Sequence, residues 1–571
     1  MALEPLPVDA VHLLVAGAAS LVALAAVYAA DRPAGAWGRR LRSRLLFGVP
    51  WGTLVAVGFV IGVYLLVQSG LENPNRPVVI PFRAWSYLYP EGMLWAGFSH
   101  ASRGHVTGNL LSTLVAGTLA EYAYGHFPRE RGRETFGSLR TNPYVRAFCV
   151  VPGVILAFGL VSSLFALGPV IGFSGVVFAL WGFALVHYPI GTIASLTAAT
   201  LVGVVYETVR TPVEIAEATP SFGPPGWANI AIQGHALGLI GGALVGAWLL
   251  RRRSVSIGRV ATSRTPAVVV FAAVLLFGAS RRLWAVYWYL GNQRYELYRA
   301  LGLGGVLVLA AIVAVAVAGR ETPFRPALAV PTPRTIRESV ASTTPAAVGL
   351  LLLFVAFAAV AGPAVVPNLV AVDEAGLPGD PIEVEGYRVT YAEDVEDRTV
   401  SAVDVEAFGR STSVRTSGVI VANPDREIWT TAVSSGNLAF WGYRAVDVGG
   451  TGWRETVWVQ RTGWVAVGGN ATYRVDGVYE GNRSTLFVSD AVEAEPVLDG
   501  RRVTIAAAPD RFDLRVAHEG TNETSRIPTV NGSVTLQGVE FVRETEAIYA
   551  ERGDSRVRVA KRERYEGRER S

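Results

Sequence analysis

The stretch Gly168–Tyr188, with the sequence GPVIGFSGVVFALWGFALVHY, decides how the rest of the chain is interpreted. It carries no acidic residue, lysine or arginine, and its length of about 20 residues is what a helix needs to cross a bilayer. One hydroxyl group, that of Ser174, lies near its start, between Phe173 and Gly175. A serine in such a segment usually bonds to its own helix or packs as a small residue, so Ser174 alone predicts no activity.

Two other apolar segments carry polar side chains that are rare in a helix within a bilayer. His235 lies near the start of Ile230–Leu250, and His105 and Asn109, one helical turn apart, lie in the segment that begins at Arg103. Polar and ionisable groups are costly in spanning segments and suggest function. A nucleophile, a base and oxyanion donors on three separate helices are the parts of a serine hydrolase.

The composition places the chain among polytopic membrane proteins. Of the 571 residues, 51% are hydrophobic, and the mean hydropathy is +0.34. Soluble domains of this length rarely reach such values. The formal net charge of +4 is small for this size, so no nucleic-acid partner is expected. The single cysteine, Cys149, can form no internal disulfide.

Ten apolar runs have the character of spanning helices. They are Val8–Ala30, Pro50–Val67, Arg103–Tyr122, Phe148–Leu167, Gly168–Tyr188, Ile190–Val209, Ile230–Leu250, Ala267–Trp288, Leu301–Ala318 and Pro345–Val366. The fourth and fifth runs adjoin, so a tight turn is expected at Gly168-Pro169.

Arginine-rich loops orient these runs. Four such loops follow runs one, three, seven and nine, at residues 31–48, 124–146, 251–264 and 319–342. Successive loops alternate sides, so the four share one side, which the positive-inside rule makes cytoplasmic. Both termini are then outside, as is the loop Thr211–Ala228 before the run that holds His235. A mobile cap over the site and an ordinary connecting loop are equally good interpretations of that loop.

The sequence pattern changes after residue 366. Apolar runs shorten, charged residues increase, and alternation with a period of two appears, as in Tyr387–Tyr391. Turn dipeptides such as Asn531-Gly532 separate these segments. Residues 369–555 are therefore predicted to form an external all-β domain of sandwich or barrel type. The charged stretch 556–571 is predicted to be a disordered tail.

The topology brings the polar groups of the three runs to one depth, just below the outer surface. The runs that hold the serine, the histidine and the His105–Asn109 pair all enter the membrane from outside. Glycines at positions 234, 238 and 242 leave a smooth face on the histidine run. Such a face is typical of tight structural packing, and the same packing would bring His235 to Ser174. The other histidines, among them His126, have no matching polar partner in the sequence.

These motifs together resemble the rhomboid family of intramembrane serine proteases, over roughly residues 46–253. The residues that carry the resemblance are Gly172, Phe173, Ser174, Gly175, His100, His105, Asn109, His235, Gly238 and Gly242. Two rival mechanisms lack their motifs. A zinc protease would need His-Glu-x-x-His, which does not occur, and a di-aspartyl protease would need two aspartates inside spans.

The resemblance implies a catalytic dyad of Ser174 and His235 with no acidic third member. It implies an oxyanion hole from the side chains of His105 and Asn109 and the backbone N–H of Ser174, with Phe178 packed on the His235 ring. His100 and the glycines and phenylalanine around the dyad would shape the site. No metal and no cofactor is expected. The implied substrates are membrane-protein helices, cut near the outer face of the cell membrane at small residues where the helix is unstable.

The expected fold class is an α-helical polytopic membrane protein with a six-helix rhomboid-like core, about four extra spanning helices and an all-β extramembrane domain. Residues 1–45 would hold an extra helix and a basic cytoplasmic loop, and 254–368 three additional helices. Two other functions are compatible with a membrane bundle. A catalytically inert rhomboid-like escort protein would usually lack one member of the dyad, and a transporter would spread its polar groups through the whole depth.

Overall fold

A computed structural model of the chain describes residues 8–31, 35–127, 133–210, 212, 224–228, 230–257, 266–319, 343–370, 377, 379–401, 403–407 and 409–567. Most of the loop considered above as a cap, at residues 211–228, lies outside them. The chain divides into two compact units. The first comprises Met1–Trp288 and Tyr295–Leu369, and the second comprises Tyr289–Arg294 and Val370–Ser571.

The first unit is helical. Its helices are α1 (Val8–Asp31), α2 (Ala36–Arg44), α3 (Trp51–Gly62), α4 (Pro90–Ala96), α5 (Arg103–Tyr124), α6 (Pro143–Val145), α7 (Val151–Leu164), α8 (Ser174–His187), α9 (Pro189–Arg210), α10 (Ile232–Ile257), α11 (Ala267–Ser280), α12 (Arg299–Ala318) and α13 (Pro345–Val365). Among the described residues, six helical segments are long and apolar enough to cross a membrane, and shorter apolar helices accompany them. The predicted helical polytopic part is therefore confirmed.

Helix α8 begins later than the apolar run that contains it. Residues 168–173 form a loop because Gly168 and Gly172 have φ angles of +82° and +128°, which a helix cannot accommodate. The predicted turn at Gly168-Pro169 is thus the first part of a longer irregular segment. Ser174 becomes the first residue of α8, at the end where backbone N–H groups have no acceptor within the helix.

The run predicted to continue to Trp288 also ends early. Helix α11 stops at Ser280, and Arg282 has a φ angle of +58°. A short hairpin of β1 (Tyr287–Tyr289) and β2 (Tyr295–Leu297) follows. In the sequence, the aromatic residues of this hairpin look like the end of a spanning helix, because hydropathy does not distinguish a short aromatic hairpin from a helix end.

Helix α8 lies at the centre of the helical unit. All its residues from Gly175 to Val186 are buried except Phe183, which is partly buried. Its apolar side chains belong to one continuous core that also contains buried residues of α3, α5, α7 and α10. The same core includes Phe277 of α11, Val306 of α12 and Leu353 of α13. The helices after residue 254 therefore pack as part of the bundle that holds Ser174.

A buried carboxylate joins α5 to the start of α3. The Glu121 carboxylate accepts hydrogen bonds from the backbone N–H groups of Gly52 and Thr53, each at 2.8 Å, and from the Thr53 hydroxyl at 2.7 Å. His126 Nε2 donates to the same carboxylate at 2.6 Å, because its Nδ1 accepts from Leu46 N. The sequence assigned no partner to His126, and that interpretation is wrong.

Replacing Glu121 by alanine should destabilise the helical unit by about 3 kcal/mol or more, because each buried donor left without an acceptor costs roughly 1–3 kcal/mol. The measurement is thermal or denaturant unfolding of the purified chain in detergent. Glu72→Ala removes an exposed carboxylate and serves as the control. Equal stability of the two variants would contradict the role assigned to the Glu121 network.

The second unit is rich in antiparallel strands, so the predicted β domain is also confirmed. Its strands are β3 (Ile382–Val384), β4 (Tyr387–Glu396), β5 (Glu406–Ala407), β6 (Arg410–Ser411), β7 (Arg415–Asn423), β8 (Ile428–Ser434), β9 (Tyr443–Gly450), β10 (Trp453–Ala466), β11 (Ala471–Tyr479), β12 (Asn482–Val488), β13 (Val492–Glu493), β14 (Arg502–Ala507), β15 (Phe512–His518), β16 (Thr521–Arg526), β17 (Ser533–Leu536), β18 (Val539–Arg543), β19 (Ala547–Arg552) and β20 (Ser555–Arg562). The largest sheet has the order β12-β11-β10-β20-β19-β18-β17, with β9 also paired to β10. Two four-stranded sheets have the orders β13-β14-β15-β16 and β3-β4-β7-β8. One short helix, α14 (Ser435–Trp441), interrupts the strands, so the unit is not purely β.

The prediction that residues 556–571 form a disordered tail is wrong for most of this stretch. Residues up to Arg562 belong to β20, which pairs with β19 and with β10. Val559 and Ala560 are fully buried, and Glu563 forms an ion pair with Arg461 at 2.7 Å. The arginines alternate with apolar residues, so one face of the strand is buried although the stretch is highly charged. Residues 568–571 lie outside the described part.

Candidate active site

Ser174 and His235, 61 residues apart, are hydrogen-bonded partners on facing helices. Ser174 is the first residue of α8, and His235 lies in the first turn of α10. His235 Nε2 is 2.8 Å from Ser174 Oγ. Both side chains are half-buried. The hydroxyl therefore has a proton acceptor in direct contact, which is the arrangement that nucleophilic catalysis by serine needs.

Glycines allow α8 and α10 to approach until their backbones touch. A Cβ atom on Gly238 would lie 2.2 Å from the Gly175 carbonyl oxygen, and one on Gly242 only 1.9 Å from that of Ala179. A Cβ on Gly182 of α8 would lie 2.2 Å from the Leu239 carbonyl oxygen. Glycine is therefore the residue that fits at these three positions, and the contact fixes the depth at which the two polar side chains meet.

Phe178, one turn beyond Ser174, packs on the histidine ring. The two rings are stacked, with centroids 4.1 Å apart and an angle of 13° between their planes. His235 Nδ1 is buried and has no hydrogen-bond partner among the residues that the structure describes. Within that part of the chain, stacking on Phe178 and the bond to Ser174 orient the imidazole, and no carboxylate does so.

The remaining predicted site residues surround the loop that leads into Ser174. Asn109 Nδ2 and the Phe173 backbone N–H both point to His100 Nε2, at 3.0 and 3.4 Å. The His105 ring packs edge-on against His100, with centroids 5.0 Å apart. A Cβ atom on Gly172 would lie 2.7 Å from His105 Cε1 and 3.7 Å from Asn109 Nδ2. The structure thus places His105 and Asn109 against the backbone two residues before Ser174.

This arrangement gathers N–H groups around Ser174 and the backbone that precedes it. As the first helical residue, Ser174 has a backbone N–H with no acceptor within α8, at the positive end of the helix. Asn109 carries two N–H groups on one nitrogen, so its contact with His100 leaves one available. Such groups can stabilise negative charge on an oxygen that develops beside Ser174.

Gln233, which lies two residues before His235, was not predicted as a site residue from the sequence. Its Oε1 accepts from the backbone N–H of Leu167 at 2.9 Å, and its Nε2 donates to the carbonyls of Phe165 and Val360, each at 2.7 Å. The side chain thus joins the segment leading to the serine loop, the start of α10 and helix α13. The only sequence signal for a role of Gln233 is that it is a polar residue within an apolar run.

The fold and the geometry define a class: a polytopic helical membrane protein with a Ser–His pair where two apolar helices, α8 and α10, meet. Residues 91–252 match the family model of the rhomboid domain. This part of the chain is a rhomboid domain, as the motifs predicted. The family includes intramembrane proteases and inactive homologues. No curated protein and no solved structure matched the chain.

Proposed function

We propose that the chain is an intramembrane serine endopeptidase that cleaves spanning helices of other membrane proteins by a dyad of Ser174 and His235. The observation that carries this proposal is the 2.8 Å separation of Ser174 Oγ and His235 Nε2 inside a rhomboid domain. Each of the predicted site residues, from His100 to Gly242, lies within the matched residues 91–252.

The chemistry follows from the positions of these groups. Ser174 Oγ attacks the carbonyl carbon of the scissile peptide bond while His235 Nε2 takes the hydroxyl proton. The carbonyl oxygen becomes an oxyanion, which the Ser174 N–H and the side chains of Asn109 and His105 stabilise. The C–N bond then breaks as the imidazolium returns its proton to the leaving amine. Water, deprotonated by the same imidazole, hydrolyses the acyl-enzyme and frees Ser174.

The expected substrates are helices that unwind near the outer face of the membrane. A hydrogen-bonded helix shields its carbonyl groups from a nucleophile, so an unstable segment with small residues is the natural target. The arginine-rich loops place the N-terminal ends of α8 and α10 toward the outside of the cell membrane. The same rule places the C-terminal β domain outside the cell, where it would contact the extramembrane parts of substrates.

An inert rhomboid-like binding or escort protein is the alternative. Such a protein needs neither a serine nor a histidine at these positions, and it needs no contact between them. The chain retains both residues, and they are hydrogen-bonded, which favours the protease.

The experiment that tests the proposal is covalent labelling of the full chain in detergent with a fluorophosphonate probe. We expect one adduct, which peptide mass spectrometry should locate at Ser174, because only an activated serine attacks this phosphorus centre at a useful rate. Ser163→Ala is the matched control, because Ser163 is a buried serine whose hydroxyl donates a hydrogen bond to the Gly159 carbonyl of its own helix. That variant should be labelled like the wild type. Absence of an adduct, or an adduct at another serine, would refute the dyad.

A further inference from the structure

An aromatic side chain from outside the rhomboid domain reaches the ring that supports His235. Phe277 lies near the end of α11, beyond the matched residues 91–252, and is completely buried. Its ring packs edge-on against Phe178, with centroids 5.5 Å apart and an angle of 77°. The Phe277 ring also packs against that of Trp181, the next aromatic residue on the same face of α8, with ring centroids 6.2 Å apart.

These contacts place Phe178 between two rings. The His235 imidazole stacks against it at 4.1 Å, and the edge of Phe277 approaches it as well. Edge-to-face aromatic pairs are favourable beyond the area they bury. Because His235 Nδ1 has no hydrogen-bond partner among the described residues, the angle of the imidazole depends on where Phe178 is held. A change in the Phe178 position therefore moves the proton acceptor.

The outer end of α11 is itself fixed relative to the segment that leads into α10. A Cβ atom on Gly278 would lie 2.7 Å from Val306, so α11 packs closely against α12. Arg282 donates a hydrogen bond of 2.7 Å to the Gly226 carbonyl, and the Tyr287 hydroxyl donates one of 3.1 Å to the Ala228 carbonyl. The end of α11 that carries Phe277 is thus held both by α12 and by the segment before α10.

We propose that Phe277 is a positioning residue for His235, which it holds in line with Ser174 through Phe178. The proposal rests on the proposed protease function. It gives α11, the first helix beyond the rhomboid domain, an effect on catalysis, because Phe277 of this helix packs against the ring that stacks on His235.

The test compares Phe277→Ala with Leu353→Ala in the full chain, reconstituted in vesicles with a single-span substrate. Leu353 is equally buried but lies on α13, so its truncation also leaves a cavity, away from the aromatic stack. Displacement of a catalytic group by about 1 Å can cost on the order of 10²-fold in rate. We expect Phe277→Ala to lower kcat by about tenfold to 10²-fold with KM nearly unchanged, and to slow fluorophosphonate labelling of Ser174 in parallel.

Two further variants separate positioning from general destabilisation. Phe277→Met keeps an apolar side chain that can contact the Phe178 ring, and should restore most of kcat. Leu276→Ala, at the exposed neighbouring position, should behave like the wild type. If Phe277→Ala does not fold, the comparison is made with Phe277→Leu.

The outcomes are distinguishable. Equal loss of kcat per folded molecule in Phe277→Ala and Leu353→Ala, or no loss in either, overturns the positioning role while the protease proposal stands. A wild-type chain that neither cleaves substrate nor reacts with the probe overturns the proposed function itself. A kcat loss specific to Phe277, reversed by methionine, supports the inference.

Discussion

Replacing Ser174 by alanine should abolish cleavage of a spanning substrate while leaving the chain folded. The substitution removes one oxygen atom, and the half-buried first position of α8 accepts alanine without a clash. Loss of one member of a catalytic pair of this kind costs on the order of 10⁶ in kcat. The measurement is cleavage of a labelled substrate in vesicles, with the thermal unfolding of each variant recorded beside it.

His235→Ala should have an effect of similar size, and the double variant should lose no more than either single variant. Two groups that act as one unit are not additive, because removal of either leaves the other without its role. Ser163→Ala serves again as the control that should retain full activity. Cleavage that survives in either single variant would exclude a shared Ser–His mechanism. So would a double variant whose increase in activation free energy equals the sum of the increases in the two single variants.

The sequence predicted the parts of this site that depend on residue type and coarse spacing. Three such features can be recognised in the sequence. They are an apolar run with one serine, a second run with one histidine and glycines spaced by four residues, and a polar pair one helical turn apart. The match of residues 91–252 confirms the rhomboid domain that these motifs indicated. The helical part and the β domain followed from hydropathy and from the change to period-two alternation.

Features set by backbone angles or by averages over a window were not predictable in the same way. Hydropathy placed the start of the serine helix at Gly168, whereas positive φ angles at Gly168 and Gly172 delay it to Ser174. That delay matters, because it exposes the Ser174 N–H at the helix end. The charged C-terminal stretch looked disordered by composition, although its alternation of arginine and valine builds a strand in the largest sheet.

Contacts between helices distant in sequence were also invisible. Nothing in the residues around Phe277 or Gln233 indicates that one supports the ring behind His235 or that the other bonds to Val360 of α13. Both contacts require the packing of helices that lie beyond the rhomboid domain. They show that the added helices and the rhomboid helices share one core, so the site cannot be understood from the matched residues alone.

Gly242→Ala should disrupt both folding and activity, although Gly242 lies two helical turns from His235 and touches no reacting group. The added Cβ atom would lie 1.9 Å from the Ala179 carbonyl oxygen, which belongs to backbone that cannot rotate away. Helices α8 and α10 would have to separate, and His235 would move with α10. Overpacking of this kind costs typically 1–3 kcal/mol or more, and a shift of about 1 Å at the dyad would lower the rate by on the order of 10²-fold.

Gly153→Ala is the matched control for this prediction, because it makes the same chemical change on helix α7 at a position with no heavy atom within 4 Å of the added Cβ. An alanine there should be neutral or slightly stabilising, since glycine is the weaker helix former. Thermal unfolding in detergent and the cleavage rate should therefore separate the two variants widely. If Gly242→Ala were as stable and as active as Gly153→Ala, close contact between α8 and α10 would not be what holds the imidazole against the hydroxyl.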